Sequence, residues 1–250
     1  MWSDFQKVVK FNSEFGVMLH TCPKFDIFCA EPQNVEFCLR LIREEIAELC
    51  KAVKEKDYIE TVDALADIIY VVLGMGARIG INMDAILNGD SNLSYSLNDT
   101  PLQRSAFRQV VKSFVPLKPN KETLDMVNLA EINRLMENLE YAVIEKNYSQ
   151  MVHFLNMILQ QAYLICGSIG TDMDLAFDLV HNNNMSKLCF SEGAAQETVE
   201  YYNKNKDTLG YDSPKYRLSP NGEYWVVYNE STKKILKSIK WRPVDLSVLY

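Results

Sequence analysis

Positive charge is scarce in this sequence: 26 Lys and Arg stand against 33 Asp and Glu, giving a net charge of −7. A protein that grips nucleic acid without regard to sequence needs a basic face, so that class is not expected. An anion held through a metal is not excluded. No apolar run approaches the roughly 18 residues that would suggest a membrane span. The first ten residues, MWSDFQKVVK, lack the apolar centre of a signal peptide. No membrane partner and a cytoplasmic location are therefore expected. Histidine is limited to three residues, and the six cysteines include no C-x₂-C pair. His20, Cys22 and Cys29 are read as a histidine beside free thiols, not as a zinc site.

Apolar residues are plentiful, at 48% of 250. That suffices for a sizeable core and argues against global disorder. The chain also repeats itself. Sliding residues 37–87 by ninety positions onto 127–177 needs no gap and gives 15 identities in 51 pairs, against roughly three expected by chance. AVKEKDY (52–58) meets AVIEKNY (142–148), and IGINMD (79–84) meets IGTDMD (169–174). FQKVVK (5–10) resembles FRQVVK (107–112) at a different shift.

Each copy reads as helices. Apolar positions 35, 38, 39, 42, 46, 49, 50 and 53 form a stripe of helical period over 35–55, and Pro32 suits its first turn. A second, more apolar helix is expected over 58–79. Asp57 and Glu60 resemble a capping box, matched by Asn147 and Gln150 in the second copy. Gly80 and Gly170 fit helix C-termini, and shorter helices follow near 82–88 and 172–187. A β-hairpin is expected from GEYWVVY (222–228) and KKILKSIKW (233–241) around NEST. The expected divisions are a first repeat over 1–90, a linker over 91–103, a second repeat over 104–200 and a C-terminal tail over 201–250.

The first copy carries paired carboxylates. Glu45 and Glu48 lie three apart on one helix, and Asp63 and Asp67 lie four apart on the next. Each pair therefore shares a helix face. Counted from a turn centred near Lys56, Glu45 and Asp67 are both eleven residues out, and Glu48 and Asp63 eight and seven. At about 1.5 Å per residue, the four come to similar heights on antiparallel helices. Converging carboxylates repel, and a hard divalent cation is the natural counter-charge. The bland reading, a solvated acidic face, applies to the Glu pair taken alone. Asp67 sits among apolar neighbours, where an unpaired carboxylate would be costly. Glu60 is assigned mainly to the cap. In the second copy Glu44, Glu45, Glu48, Asp63 and Asp67 become Arg134, Leu135, Asn138, His153 and Met157. The fold is thus expected not to need the acids, and His153 is read as a packed or hydrogen-bonded replacement.

EExxE at 44–48, followed after a short turn by an acidic pair, resembles the MazG-like superfamily, which includes dimeric dUTPases and phosphoribosyl-ATP pyrophosphohydrolases. FNSEFGV (11–17), DALADIIYVVLG (63–74), NNNMSKL (182–188) and KSIKWRPVDL (237–246) are similar to phage-type members. One departure is Ala64, where the family's E-x-x-D motif has Glu; Asp63 or Glu60 would substitute. The resemblance implies an all-α fold of four-helix-bundle-like tandem repeats forming a pseudo-dimer, with a small β-hairpin appendage. It implies hydrolysis of the α–β phosphoanhydride of a nucleoside triphosphate. Glu45, Glu48, Asp63 and Asp67 would hold Mg²⁺ or Mn²⁺, and Glu44 or Glu45 would accept a proton. Asn184 and Lys187 resemble the family's nucleotide contacts, and Asn12 would face the base or sugar. NNNMSK follows the second copy only, so one composite site per chain is expected, in a monomeric pseudo-dimer or a homodimer. A nucleotide sensor or sponge without turnover is the alternative, and a helical interaction scaffold a third reading.

Overall fold

The computed structural model describes residues 2–97 and 121–249. Residues 107–112, whose FRQVVK resembles FQKVVK at 5–10, and residues 98–103 of the linker lie outside them. The described chain falls into two compact units. Among the described residues, the first comprises 2–9, 19–97, 121–180 and 245–249, and the second 10–18 and 181–244.

The first unit is helical. It holds the start of α1 (Asp4–Glu14), the short α2 (Ile27–Ala30), α3 (Pro32–Glu55), α4 (Tyr58–Arg78) and α5 (Met83–Asn88). After a 3₁₀ turn (Lys121–Met126) come α6 (Leu129–Ile144), α7 (Tyr148–Ser168) and most of α8 (Met173–Met185). Pro32 stands in the first turn of α3, where its missing N–H has no partner to lose. The turn into α4 is made by Lys56 at φ 54°, a left-handed residue. Asp57 then caps α4 by accepting from the Glu60 amide at 3.2 Å. The other half of the expected capping box does not form, because the Asp57 amide donates to the Ala52 carbonyl. Asn147 repeats the cap on α7, accepting from Gln150 at 3.1 Å.

α3 packs on α4, and α6 on α7; α4 also packs on α7, and α3 on α6. These two hairpins meet as a pseudo-two-fold pair. The Tyr58 hydroxyl reaches the Ile169 carbonyl at 3.4 Å, and its counterpart Tyr148 donates to the Ile79 carbonyl at 2.7 Å. Arg43 pairs with Glu140 at 2.6 Å, while Asn133 and Cys50, at the same places with the copies exchanged, meet at 3.4 Å. Reciprocity of this kind is the mark of an isologous interface, here built within one chain. The seam is apolar: Leu65, Ile68, Ile69, Leu155, Ile158 and Leu159 are fully buried, each contributing roughly 1.5–3 kcal/mol. No single helix among the described residues is long and apolar enough to cross a membrane.

The second unit contains the ends of α1 and α8, then α9 (Glu192–Lys204), α10 (Lys206–Leu209) and a two-stranded antiparallel sheet of β1 (Pro214–Leu218) and β2 (Trp225–Asn229). The hairpin differs from expectation in its partner strand. GEYWVVY does supply β2, but it pairs with PKYRL through the turn at Ser219–Pro220–Asn221–Gly222, where Gly222 has φ 77°. KKIL returns alongside with only a bridge between Tyr228 and Ile235. Both turns reverse the chain, and the Gly-containing one carries the longer ladder. β2 is buried on both faces, consistent with its period of two. Val226 joins Phe15 and Leu188 in one cluster, and Val227 joins Cys189, Ala195, Tyr202 and Leu236 in another.

Candidate functional site

α4 is buried on nearly every side. Asp63, Asp67, Val71, Gly74 and Arg78, spaced three or four apart, form one half-buried stripe along it. α3 carries a matching half-buried stripe of Asn34, Phe37, Leu41 and Glu45, continued by the exposed Glu48. The two stripes are neighbours: Arg78 donates to Asn34 Oδ1 at 3.4 Å and lies over the Phe37 ring, 5.2 Å from its centroid.

That contact is compatible with the register counted from the Lys56 turn. Asn34 lies eleven residues before Glu45, and Arg78 eleven after Asp67. Eleven steps along each antiparallel helix carry the level of Arg78 and Asn34 to Glu45 and Asp67. Glu48 and Asp63 come next toward the turn, level with each other to within about 1.5 Å. Farther along, a side-chain carbon at Gly74 would sit 3.8 Å from Val8 of α1.

Asp67 is half-buried on the stripe, not enclosed by its apolar neighbours, since helical period turns those neighbours away. Tyr70 is buried, and its phenol is pushed well above the ordinary tyrosine range, by burial first and by the charge of Asp67 second. Glu44 is exposed and faces Arg40 at 3.9 Å. Glu60 is exposed at the first turn of α4. Hard oxygen donors on facing helices are right in kind for a divalent cation. Among the described residues, however, no three His, Cys, Asp or Glu side chains stand close enough together to hold one as placed. His20 bonds to Glu31 at 2.8 Å, and none of the six cysteines forms a disulfide.

The second copy keeps the scaffold without the acids. Leu135, in the place of Glu45, is buried, and Met157, in the place of Asp67, is half-buried. Arg134 pairs with Glu131 at 2.6 Å. His153 is exposed, with its ring edge-on to Phe154 at 5.1 Å.

Asn12, Asn184 and Lys187 belong to the second unit. Asn12 is 5% exposed, and its Nδ2 has no hydrogen-bond partner among the described residues. A buried donor left so costs about 1–3 kcal/mol. NNNMSK closes α8: Asn184 is buried, and its Oδ1 accepts from Lys187 Nζ at 2.5 Å. Asn183, not singled out in the sequence, accepts from Trp241 Nε1 at 2.9 Å and donates to the Arg242 carbonyl at 2.5 Å. Arg217 lies in no motif singled out above. It donates to the carbonyls of Phe15 and Gly16, at 2.6 and 3.2 Å.

Residues 21–89 match the family described as phosphoribosyl-ATP pyrophosphohydrolase, a segment that contains Glu44, Glu45, Glu48, Asp63 and Asp67 and ends before the second copy. An uncharacterized protein of Acanthamoeba polyphaga mimivirus is 36% identical over 238 residues, covering 94% of this chain and 91% of the relative. No solved structure matches. The chain shares a family with that viral protein and belongs to the MazG-like superfamily of nucleotide pyrophosphohydrolases, in an internally duplicated form.

Proposed function

We propose that this protein is a Mg²⁺-dependent nucleoside triphosphate pyrophosphohydrolase, releasing a monophosphate and pyrophosphate by water attack at the α–β anhydride. What supports the reading is the pairing of levels, Glu45 with Asp67 and Glu48 with Asp63, counted from the Lys56 turn, with which the Arg78–Asn34 bond is compatible. Their side chains would close on Mg²⁺, or Mn²⁺, by rotation about their own torsions. The metal would bind phosphate oxygens and acidify a water. Glu45 is proposed to take the water's proton, with Glu44 the alternative that the same EExxE run offers. Asn12, Asn184 and Lys187 supply amide and ammonium donors suited to base, sugar or phosphate oxygens.

The test is a panel of NTPs, dNTPs and related anhydrides with Mg²⁺, scored for monophosphate and pyrophosphate. Glu48→Gln and Asp67→Asn are expected to abolish turnover with helical content kept. Loss of the general base at Glu45→Gln is expected to cost about 10²–10⁴-fold in kcat. Glu44→Gln should cost far less. Cleavage undiminished in excess chelator, or normal in both acidic mutants, would overturn the assignment. A second reading, nucleotide binding without turnover, draws on the absence of a gathered metal cluster among the described residues. Tight binding of a triphosphate with no product on any substrate would favour it.

A further inference from the structure

We infer that the C-terminal hairpin sets the geometry of the nucleotide contacts in the second unit, with Arg217 and Trp241 as positioning residues for Asn12 and Asn184. The inference rests on the nucleotide reading above and adds a role for the tail that the MazG-like match over 21–89 does not cover.

Asn12 lies on the last turns of α1, and its carbonyl accepts from the Val17 amide at 2.8 Å as the chain turns away. The turn is made at Gly16, φ 58°, in the left-handed region that glycine enters freely. The Phe15 and Gly16 carbonyls both accept from Arg217 Nη2. A cation on unsatisfied carbonyls at a helix C-terminus is favourable by charge as well as by hydrogen bonding. Arg217 comes from β1 and is itself held over the Tyr228 ring of β2, 5.4 Å from the centroid. The fit is close: a side-chain carbon at residue 16 would lie 2.6 Å from Arg217 Nη1.

The end of α8 is tied down by the same tail. Asn183 is bonded on both sides of its amide, to Trp241 and to the Arg242 carbonyl. Trp241 is covered by Lys237, whose Nζ lies 3.6 Å from the ring centroid. Asn184 follows directly, holding Lys187 by its Oδ1. Phe15 of the α1 end, Leu188 beyond α8 and Val226 of β2 pack in one cluster. The hairpin thus lies against both helix ends that present the asparagines. The buried Asn12 Nδ2, with no acceptor among the described residues, is the donor this arrangement holds ready for a ligand oxygen.

The experiment measures binding of a non-hydrolysable α,β-methylene nucleoside triphosphate to the full chain by calorimetry, alongside kcat and KM. The variants are Asn12→Ala, Arg217→Met, Arg217→Lys and Trp241→Phe. Arg217→Met and Trp241→Phe are expected to weaken analogue binding and raise KM by about tenfold, about 1.4 kcal/mol, as Asn12→Ala does. kcat should stay within about twofold, with an unchanged circular dichroism spectrum. Arg217→Lys, which keeps the charge but not the fork, should recover part of the affinity. If Arg217→Met fails to fold, the smaller change Trp241→Phe decides. Wild-type affinity in folded Arg217→Met and Trp241→Phe, with weakened Asn12→Ala, would overturn the role of the hairpin and leave the nucleotide reading intact. Wild-type affinity in Asn12→Ala too would overturn the inference at its root, with the carboxylates still standing. A parent chain that binds no triphosphate would sink both.

Discussion

At the scale of single residues, the two copies form an internal comparison that separates what the fold needs from what the chemistry needs. Glu45 is half-buried at the edge of the α3–α4 hairpin, and its counterpart Leu135 is 2% exposed in the α6–α7 hairpin. The pseudo-two-fold contacts of Tyr58 and Tyr148 place these positions in comparable surroundings. At the same backbone position the second copy buries an apolar side chain. Leu135→Glu is therefore expected to cost on the order of 3–5 kcal/mol, read as a fall in the urea midpoint at unchanged slope. It should add no hydrolysis, since Asn138, His153 and Met157 still stand where the other acids would be. A Leu135→Glu protein as stable as the parent would mean that this hairpin opens to water at that point.

At the scale of elements, strain and close approach can be told apart at two glycines. Gly80 and Gly89 both follow helix ends with positive φ, 80° and 74°. A side chain at Gly89 meets nothing within 4 Å, whereas one at Gly80 would lie 1.9 Å from the Cys22 carbonyl oxygen. Residues 20–24 cross the end of α4 there, with the His20 amide on the Ala77 carbonyl and the Lys24 amide on the Ile79 carbonyl. Gly89→Ala should cost about 1 kcal/mol, the conformational term alone. Gly80→Ala should cost on the order of 3 kcal/mol or more, measured by thermal or urea unfolding; equal losses would remove the argument from close approach. Helices, caps and the Lys56 turn were legible because each rests on local period and local hydrogen bonding. The levels of Glu45 with Asp67 and of Glu48 with Asp63 come from counting, and the bond from Arg78 to Asn34 is compatible with that register. What escaped was non-local. Two turn signals flank β2, and nothing in the sequence chose SPNG over NEST as the one closing the strand pair. Asn183 with Trp241, and Arg217 with Phe15, join segments tens or hundreds of residues apart, and the motifs that contain Asn183, Trp241 and Phe15 do not say which partner each meets. The half-burial of Asp67 depended on which stripe of a nearly all-apolar helix stays open, and composition does not decide that.

At the scale of the whole molecule, the half-buried Tyr148 phenol links the paired hairpins of the first unit, which makes their stability sensitive to alkali. Burial pushes the Tyr148 hydroxyl up to about 12, and it raises Tyr70 and Tyr95 as well. An unfolded tyrosine loses its proton near pH 10. Between about pH 10 and 12 the unfolded chain therefore holds fewer protons than the native one, so stability falls as pH rises. Below pH 10 the contribution is present in full. Tyr148→Phe isolates one share of it. At neutral pH the variant loses the bond to the Ile79 carbonyl and should be less stable by about 1 kcal/mol. Above pH 10 it has no phenol to ionise at that place, so the gap to the parent should narrow as pH rises. Urea titrations at a series of pH values measure both curves. Curves that stay parallel through pH 12 would show that Tyr148 ionises in the native state as readily as in the unfolded one, and that its bond to Ile79 does not hold the two hairpins together.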